Sequence, residues 1–296
     1  MAADRLGRRA RLQTALVVAL AVAAAVLLAC AAWALWVEPR RLVESEVELR
    51  LPGWPAELDG VRVAVLTDLH VGSPFHGLPT LRRIVARTNA RRPDLVVLLG
   101  DLVIQGIVGG RFVPPESIAP ALGKLRAPLG RFAVLGNHDG WLDAARVARD
   151  LEAAGIVVLR DSAAAVVADG RRFAVAGVTD LWTGRADVAR AVAAAPPGGP
   201  LLLLTHNPDI FPGVPPAVAL TIAGHTHGGQ VRLPLLGRPI VPSRYGQRYA
   251  AGHIAEGGRH LFVATGTGTS ILPVRFRVPP EIVVLRLRSA HRYGAH

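Results

Sequence analysis

Short apolar runs begin to alternate with amphipathic stretches near residue 61. The runs are rich in valine and leucine and are bounded by glycine, proline or aspartate. They are VRVAVL at 61–66, DLVVLL at 94–99, RFAVL at 131–135, RFAVAGV at 172–178, PLLLL at 200–204, VALTIA at 218–223, HLFVA at 260–264 and EIVVLRL at 281–287. Their almost continuous apolar character predicts strands that are covered on both faces.

Three of the intervening stretches have a helical period. In the first, Leu81, Ile84, Val85 and Thr88 share one face, while arginines occupy the other face. The second ends at Gly155, a residue type that commonly ends helices. The predicted helices lie within 78–92, 141–155 and 185–195. Because strands and helices alternate along the chain, the sequence predicts an α/β fold.

A long uncharged segment precedes this region. No charged residue occurs between Leu12 and Val37, and a helix needs only ~20 apolar residues to cross a bilayer. Arginines precede the segment, and Trp33 and Trp36 lie near its far end, where an aromatic belt is expected. The pattern predicts a single transmembrane helix. A cleaved signal peptide and a buried core helix are the alternatives.

These patterns divide the chain into segments. The predicted segments are a basic N-terminal segment at 1–11, a transmembrane helix at 12–37, a juxtamembrane connector with a short strand at 38–60, an α/β domain at 61–288 and a C-terminal tail at 289–296. Arginines before the span outnumber Arg40, Arg41 and Arg50 after it. The positive-inside rule therefore favours a single-pass protein of the cell membrane whose α/β domain lies on the exported side.

Composition excludes some classes of protein. Half of the residues are hydrophobic, which excludes a disordered chain. The formal charge of +12 comes from arginine, since Lys124 is the only lysine, and it favours anionic partners. The sequence contains no basic cluster interleaved with aromatic residues, the pattern that would favour binding of nucleic acid. Cys30 is the only cysteine, so the chain has neither an internal disulfide nor a cysteine-rich zinc site.

Polar residues of metal-binding type follow the ends of several predicted strands. In α/β sheets, ligands bind at the carboxyl ends of strands, so these residues are expected to converge. Aspartate, asparagine and histidine form an N/O donor set suited to Mn, Fe, Zn or Mg. The candidates are Asp68, His70, Asp101, Asn137, His138, Asp139, His206, His225 and His227.

Spacing and glycine placement support convergence. If the strands continue as extended chain, Asp68 and His70 point to the same side, and so do His225 and His227. Each pair then either binds one ion or straddles two. Glycines precede Asp101, Asn137 and His225, where tight turns bring the backbone close to a site.

Each residue alone has an ordinary structural alternative. Asp68 could cap a helix, Asn137 could form a turn, and His206 could be a loop histidine. Asp139 and Asp180 could orient histidines or serve as plain turn or cap residues. Histidines outside the motifs, such as His76, are expected on loops or at the surface. The recurrence of such residues at several strand ends favours a functional site.

The ordered motifs resemble those of the calcineurin-like metallophosphoesterase family. They are Asp68-x-His70, Gly100-Asp101, Gly136-Asn137-His138-Asp139, His206 and Gly224-His225-Thr226-His227. The segment GTGTSILPVRFRVPPEIVVLRL further resembles the membrane-associated bacterial branch of that family. The resemblance implies a four-layer α/β/β/α sandwich and a dinuclear metal centre.

The resemblance also implies roles for single residues. Asp68, His70 and His227 would bind one metal ion. Asn137, His206 and His225 would bind the other, and Asp101 would bridge the two. His138 would contact the phosphate and assist the leaving group. The cofactors would be two divalent ions, with Mn, Fe or Zn expected.

The expected function is hydrolysis of phosphodiesters by a membrane-anchored enzyme, with water activated by the metal ions. One alternative is a lipid-linked pyrophosphatase of the UDP-2,3-diacylglucosamine hydrolase type. Another is a non-catalytic, metal-binding scaffold of the envelope, which would be expected to lack a ligand or His138. The expected partners are the bilayer and a phosphodiester or lipid-linked phosphate.

Overall fold

The computed structural model describes residues 2–168 and 170–290 of the chain. The predicted C-terminal tail lies outside the described residues from position 291 onward, as does Met1 of the basic N-terminal segment.

The described chain contains helices and strands in alternation. The helices are α1 (Ala2–Ala32), α2 (Leu78–Ala90), α3 (Pro115–Leu122), α4 (Asn137–Ala153) and α5 (Val188–Ala193). The strands are β1 (Val43–Leu51), β2 (Arg62–Leu66), β3 (Leu95–Leu98), β4 (Arg131–Ala133), β5 (Val157–Val158), β6 (Ser162–Ala168), β7 (Arg171–Gly177), β8 (Leu201–Leu204), β9 (Val218–Ala223), β10 (Gly252–Glu256), β11 (Arg259–Val263) and β12 (Glu281–Ser289). All eight runs that predict strands contain one. Four elements were not predicted from the sequence: α3, β5, β6 and β10.

The strands form two six-stranded sheets. The first has the order β1-β12-β2-β3-β4-β5, and the second has the order β10-β11-β9-β8-β7-β6. In the first sheet β2, β3 and β4 are parallel neighbours, and in the second β8 and β9 are parallel neighbours. The loops that follow these five strands carry the candidate site residues.

Three apolar cores separate the layers. One core lies between the sheets and includes Val63 and Val97 from the first sheet and Leu202 and Leu220 from the second. Another packs α2, α3 and α4 on the outer face of the first sheet. The last covers the second sheet with α5 and neighbouring 3₁₀ turns, which form a thinner layer. The predicted α/β/β/α arrangement is confirmed.

Helix α2 follows its hydrophobic pattern closely. Leu81, Ile84, Val85 and Thr88, the four residues predicted to share its apolar face, are its buried residues. The second predicted helix starts earlier than expected, because α4 begins at Asn137 and changes direction at Asp143, whose backbone is not helical.

The predicted connector at 38–60 is in part a strand of the first sheet. Strand β1 pairs in parallel with β12 along its whole length, from Val43 opposite Glu281 to Leu51 opposite Ser289. Leu49 and Leu51 are buried in the core between the sheets. The sheet therefore begins at Val43 rather than at residue 61.

The apolar N-terminal helix meets the folded domain at its carboxyl end. One candidate membrane span, Gly7–Arg40, is long and apolar enough to cross a bilayer, and its most apolar stretch is not buried against the protein. Ala34, Glu38 and Pro39 are buried in the fold. The backbone N–H of Arg275 donates to the carbonyl of Ala34 (3.0 Å). The end of the span is thus fixed to the domain.

Leu51→Ala is expected to reduce the free energy of unfolding by about 2–5 kcal/mol, because it removes a fully buried side chain from the core between the sheets. The control is Arg50→Ala, the exposed neighbour on the same strand, with an expected change within about 0.5 kcal/mol. Denaturant unfolding of the detergent-solubilised chain measures both. Equal effects would show that β1 is not part of the cooperative fold.

Candidate metal centre

The predicted site residues converge where five strands end. Asp68, Asp101 and Asn137 follow β2, β3 and β4 of the first sheet. His206 and His225 follow β8 and β9 of the second sheet, and His227 comes shortly after. All are buried.

The first cluster contains Asp68, His70 and His227, whose donor atoms all lie within 4.8 Å of one another. Nε2 of His70 is 3.1 Å from Nε2 of His227, and Nε2 of His227 is 3.3 Å from Oδ1 of Asp68. The other carboxylate oxygen of Asp68 accepts hydrogen bonds from the Thr67 hydroxyl (2.7 Å) and the His225 backbone (3.0 Å). Oδ1 of Asp68 therefore remains available inside the cluster.

The second cluster contains Asp101, His206 and His225, within the same distance limit. Nε2 of His206 is 3.1 Å from Nδ1 of His225 and 3.2 Å from Oδ1 of Asn137. His225 and His227 therefore belong to different clusters, so this pair straddles two positions rather than converging on one.

Asp101 lies between the two clusters. Its Oδ2 is 3.5 Å from Nε2 of His70 and 3.3 Å from Nε2 of His206. Its Oδ1 accepts a hydrogen bond from the backbone N–H of His138 (2.9 Å). One carboxylate oxygen thus faces histidines of both clusters while the other holds the loop that follows β4.

The backbone around these residues is not extended, contrary to the prediction. Asp68, His70, Asp101, His225 and His227 have φ angles of 49°, 38°, 53°, 70° and 50°. A non-glycine residue in this left-handed backbone conformation is destabilised by about 1–2 kcal/mol. Residues strained in this way cluster at functional sites. Neighbouring loops offset the cost with hydrogen bonds: the N–H of Asp68 donates to Gly100 (3.0 Å), and that of His70 donates to Asp101 (2.9 Å).

Glycines are required where the loops cross. Gly100 has a φ of +87°, and a Cβ at this position would collide with the backbone of Gly136. A Cβ at Gly136 would in turn collide with Asp101. The glycines before Asp101 and Asn137 therefore allow the loops after β3 and β4 to touch.

Backbone carbonyls orient two of the histidines. Nδ1 of His70 lies 3.2 Å from the carbonyl oxygen of Val103, and Nδ1 of His206 lies 2.6 Å from that of Leu99. A carbonyl only accepts, so each Nδ1 carries the proton and donates it. Both Nε2 atoms are thereby turned into the clusters, as in metal sites where the outer nitrogen of a histidine is hydrogen-bonded.

The donor set fits divalent cations. Two nitrogens bound to one cation at ~2.1 Å stand about 3.0–3.5 Å apart, close to the 3.1 Å between His70 and His227. Asp68 Oδ1 is buried without a hydrogen-bond partner among the described residues. Buried lone pairs that face one another are unfavourable unless a positive charge lies between them.

The electrostatics of the second cluster also favour positive charge. Burial opposes protonation of His206, but the adjacent Asp101 carboxylate outweighs burial and raises the pKa of His206 to about 10. His70, in the first cluster, behaves differently. Burial prevails there and lowers the pKa of His70 to about 3, so its ring is neutral, as a metal ligand must be.

His138 sits at the edge of the site. It is 8% exposed, and its ring contacts His70 edge-on (centroids 4.8 Å apart) and Trp141 (5.0 Å). Burial lowers the pKa of His138. Its ring is also close enough to His70 and Asp101 to form a further possible metal-binding group with them. Geometry alone therefore leaves both a ligand and a substrate-contacting role open.

The carboxylates of Asp139 and Asp180 accept hydrogen bonds from backbone N–H groups rather than from histidine rings. Asp139 is fully buried and accepts hydrogen bonds from the N–H groups of Asp101 (2.8 Å), Leu102 (2.9 Å) and Gly136 (3.0 Å). Asp180 accepts from the backbone N–H groups of residues 182 and 183 and thus closes a turn. Of the two roles left open by the sequence, the turn and cap role describes both.

A cavity of about 320 Å³ opens above the clusters. Besides Asp101, Asn137, His138, His225 and His227, it is lined by residues absent from the sequence prediction: Gln105, Trp141, Trp182, Thr226, Gly229, Gln230, Ile240, Pro242, Ser270 and Ile271. Trp182 packs edge-on against His225 (4.4 Å) and stacks with Trp141 (6.3 Å). Thr226 had a sequence signal, because it lies inside the motif Gly224-His225-Thr226-His227. The position of Trp141, one helical turn after His138, follows from the start of α4 at Asn137.

One histidine outside the motifs, His76, lies in the interior of the domain. His76, expected on a loop or at the surface, is buried, and neither of its ring nitrogens has a hydrogen-bond partner among the described residues. It belongs to neither cluster.

Comparisons with known proteins agree with the motifs. Residues 61–229 match the calcineurin-like phosphoesterase family. The chain is 31% identical to the uncharacterized metallophosphoesterase YkuE of Bacillus subtilis, over 88% of this chain and 90% of that protein. It is 33% identical to the phosphodiesterase YaeI of Escherichia coli, over 76% and 82%. It is 27% identical to the UDP-2,3-diacylglucosamine pyrophosphatase LpxG of Chlamydia trachomatis, over 86% and 92%.

Asp139→Asn is expected to lower the free energy of unfolding by about 2 kcal/mol or more, since its amide group cannot accept all the hydrogen bonds of the buried loops. Glu152→Gln removes an exposed carboxylate from the same helix and is the matched control, with a change within about 0.5 kcal/mol. Thermal unfolding compares the two. Indistinguishable stabilities would contradict the role assigned to Asp139.

Proposed function

The chain belongs to the calcineurin-like phosphoesterase family, and we propose that it is a membrane-anchored enzyme that hydrolyses phosphodiesters with two divalent metal ions. The observation that carries this proposal is the position of Asp101, whose Oδ2 faces a histidine of each cluster. A carboxylate placed in this way is suited to bridge two cations. A non-catalytic scaffold is disfavoured because no candidate ligand is missing.

The proposed ligands follow the two clusters. Asp68, His70 and His227 would hold one ion. His206 and His225 would hold the other, together with the amide oxygen of Asn137. Asp101 would be shared. The all-N/O donor set suits Mn, Fe or Zn without selecting among them.

The chain's own residues would act on the substrate at the open side of the clusters. When bound, the metal ions would supply the charge that activates water and neutralises phosphoryl oxygens. His138 would contact the phosphate and donate a proton to the leaving oxygen. Because burial lowers the pKa of His138, its ring would need the nearby negative charge of the substrate to hold that proton. Trp141 would fix the ring against rotation.

A phosphodiester is the proposed substrate class, and a lipid-linked pyrophosphate is the second candidate. The similarity to YaeI, named as a phosphodiesterase, supports the first. The similarity to LpxG, together with Ile240, Pro242 and Ile271 in the cavity wall, supports the second. Both reactions would use the same two clusters. The two substrates differ in the groups attached to the phosphate.

The proposed anchor is the apolar span Gly7–Arg40. Its carboxyl end contributes buried residues and a backbone hydrogen bond to the domain, which favours an uncleaved helix over a removed signal sequence. The excess of arginine before the span favours an exported domain. Protease accessibility in spheroplasts would test that orientation.

The detergent-solubilised chain is expected to hydrolyse a chromogenic phosphodiester, to lose activity on exhaustive chelation and to regain it with Mn²⁺. Asp101→Ala is expected to lose both metal ions and all activity because it removes the shared ligand. Glu152→Ala, which removes an exposed carboxylate, should retain both. Metal analysis and turnover measure the outcomes. Activity that survives chelation, or two tightly bound ions in Asp101→Ala, would refute the proposed site.

His138→Ala is expected to keep both metal ions and to lower turnover by roughly 10²-fold or more, as for the loss of a general acid. The loss should be smaller for esters with a nitrophenolate leaving group, which needs less protonation. Metal content and a series of leaving groups of different pKa provide the test. Loss of a metal ion would make His138 a ligand, and an equal loss across the series would exclude the acid role.

A further inference from the structure

Exposed apolar side chains lie on the loops that border the cavity above the two clusters. Six of them define what we call the apolar rim: Val108, Leu235, Leu236, Ile240, Ile271 and Leu272. Ile240 is 78% exposed and Ile271 is 71% exposed, yet both also line the cavity. Leu235 and Ile271 have φ angles of 64° and 62°, a conformation that is rare for branched side chains. Their loops hold them away from any core.

Hydrogen bonds join the rim loops into one surface. The side chain of Gln230 accepts from the backbone of Ser270 (2.7 Å) and donates to its carbonyl (3.1 Å). The N–H of Arg232 donates to Phe276 (2.9 Å), and the N–H of Val108 donates to Ile271 (3.0 Å). The loops at 106–112, 230–242 and 270–277 are therefore held together.

The same surface is continuous with the end of the apolar helix. Arg275, a few residues after Ile271 and Leu272, donates its backbone N–H to Ala34. Arg40 lies over the ring of Phe75, 3.9 Å from its centroid. Trp36 and Val37, at the end of the span, are exposed. The point where a membrane-spanning helix would leave the bilayer is therefore attached to the rim.

The charged residues of the rim loops are all arginines, so the charge around the rim is positive. The rim loops contain no aspartate or glutamate. They carry exposed or half-exposed arginines at 111, 232, 238 and 277. An apolar tip flanked by arginine is the pattern of segments that lie in the interface of membranes with anionic lipids.

We propose that the apolar rim inserts into the bilayer interface, so that the metal centre opens onto the membrane and takes an amphiphilic phosphoester directly from it. This deepens the proposed function and rests on the membrane anchoring given there. Ile240 and Ile271 would contact the apolar part of the substrate while its phosphate lies near His138. The occupant of the rim is thus an anionic lipid surface rather than a second copy of the chain.

Insertion can be tested without any assay of activity. In the full chain with Cys30→Ser, the variants Leu236→Cys and Leu272→Cys are labelled with a polarity-sensitive fluorophore. The control is Val167→Cys, at an exposed apolar residue of β6. The labelled chains are reconstituted in vesicles of phosphatidylcholine and phosphatidylglycerol that contain lipids with an acyl-chain nitroxide. The labels at 236 and 272 should be quenched at least twice as strongly as the label at 167. Equal quenching at the three positions would overturn the proposal, as would protection of the rim labels without quenching, the result expected for a dimer.

Activity provides an independent test. The double variant Leu235→Asp/Leu236→Asp is compared with Val167→Asp on a phosphodiester lipid in the same vesicles and on a soluble chromogenic phosphodiester. Loss of two apolar anchors should lower kcat/KM for the vesicle-borne lipid by about tenfold or more and leave the soluble ester unaffected, because neither leucine lines the cavity. An equal effect on both substrates would overturn the proposal. If neither substrate is hydrolysed by the wild type, the proposed function fails, and the quenching result still decides whether the rim inserts.

Discussion

The burial of two carboxylates and four imidazoles in one small volume is the constraint on which the rest of the structure depends. Asp68, Asp101, His70, His206, His225 and His227 are each less than 5% exposed. Desolvating so many polar groups is unfavourable unless opposite charge or hydrogen bonds replace water. Backbone N–H and carbonyl groups supply some of the hydrogen bonds that replace water. The carboxylates and ring nitrogens also require positive charge, which divalent cations would provide.

This constraint also couples the two sheets. Each cluster combines groups from both: Asp68 and His70 with His227, and Asp101 with His206 and His225. Cations held in this way would join loops of the first sheet to loops of the second. Metal binding should therefore stabilise the folded chain as well as enable catalysis, since a preformed site does not exist in the unfolded state.

Strand β1 links the site to the apolar N-terminal helix. It follows α1 after a π-helical segment (Trp33–Val37) and a 3₁₀ turn (Glu38–Arg40), and it lies at the edge of the first sheet beside β12. The helix end is further fixed through Arg275, whose buried guanidinium donates to the carbonyls of Thr265, Gly266, Gly268 and Val278. The loop that carries Ile271 thus lies between the end of the helix and the cavity. The position of the helix end relative to the domain is therefore set by packing and hydrogen bonds rather than by a flexible linker.

The sequence by itself determined the α/β class, the apolar span and every residue of the two clusters, because hydrophobic periodicity and strand-end position depend on local order along the chain. It could not determine that β1 belongs to the sheet, since its alternating polar pattern is equally typical of an exposed connector. Tertiary structure alone decided that His225 and His227 separate, because left-handed backbone and crossing loops, not extended geometry, direct their side chains. It also decided that Asp139 holds loops and that Trp141, Trp182 and the rim surround the cavity. Those contacts join residues far apart in the chain, and no local pattern encodes them.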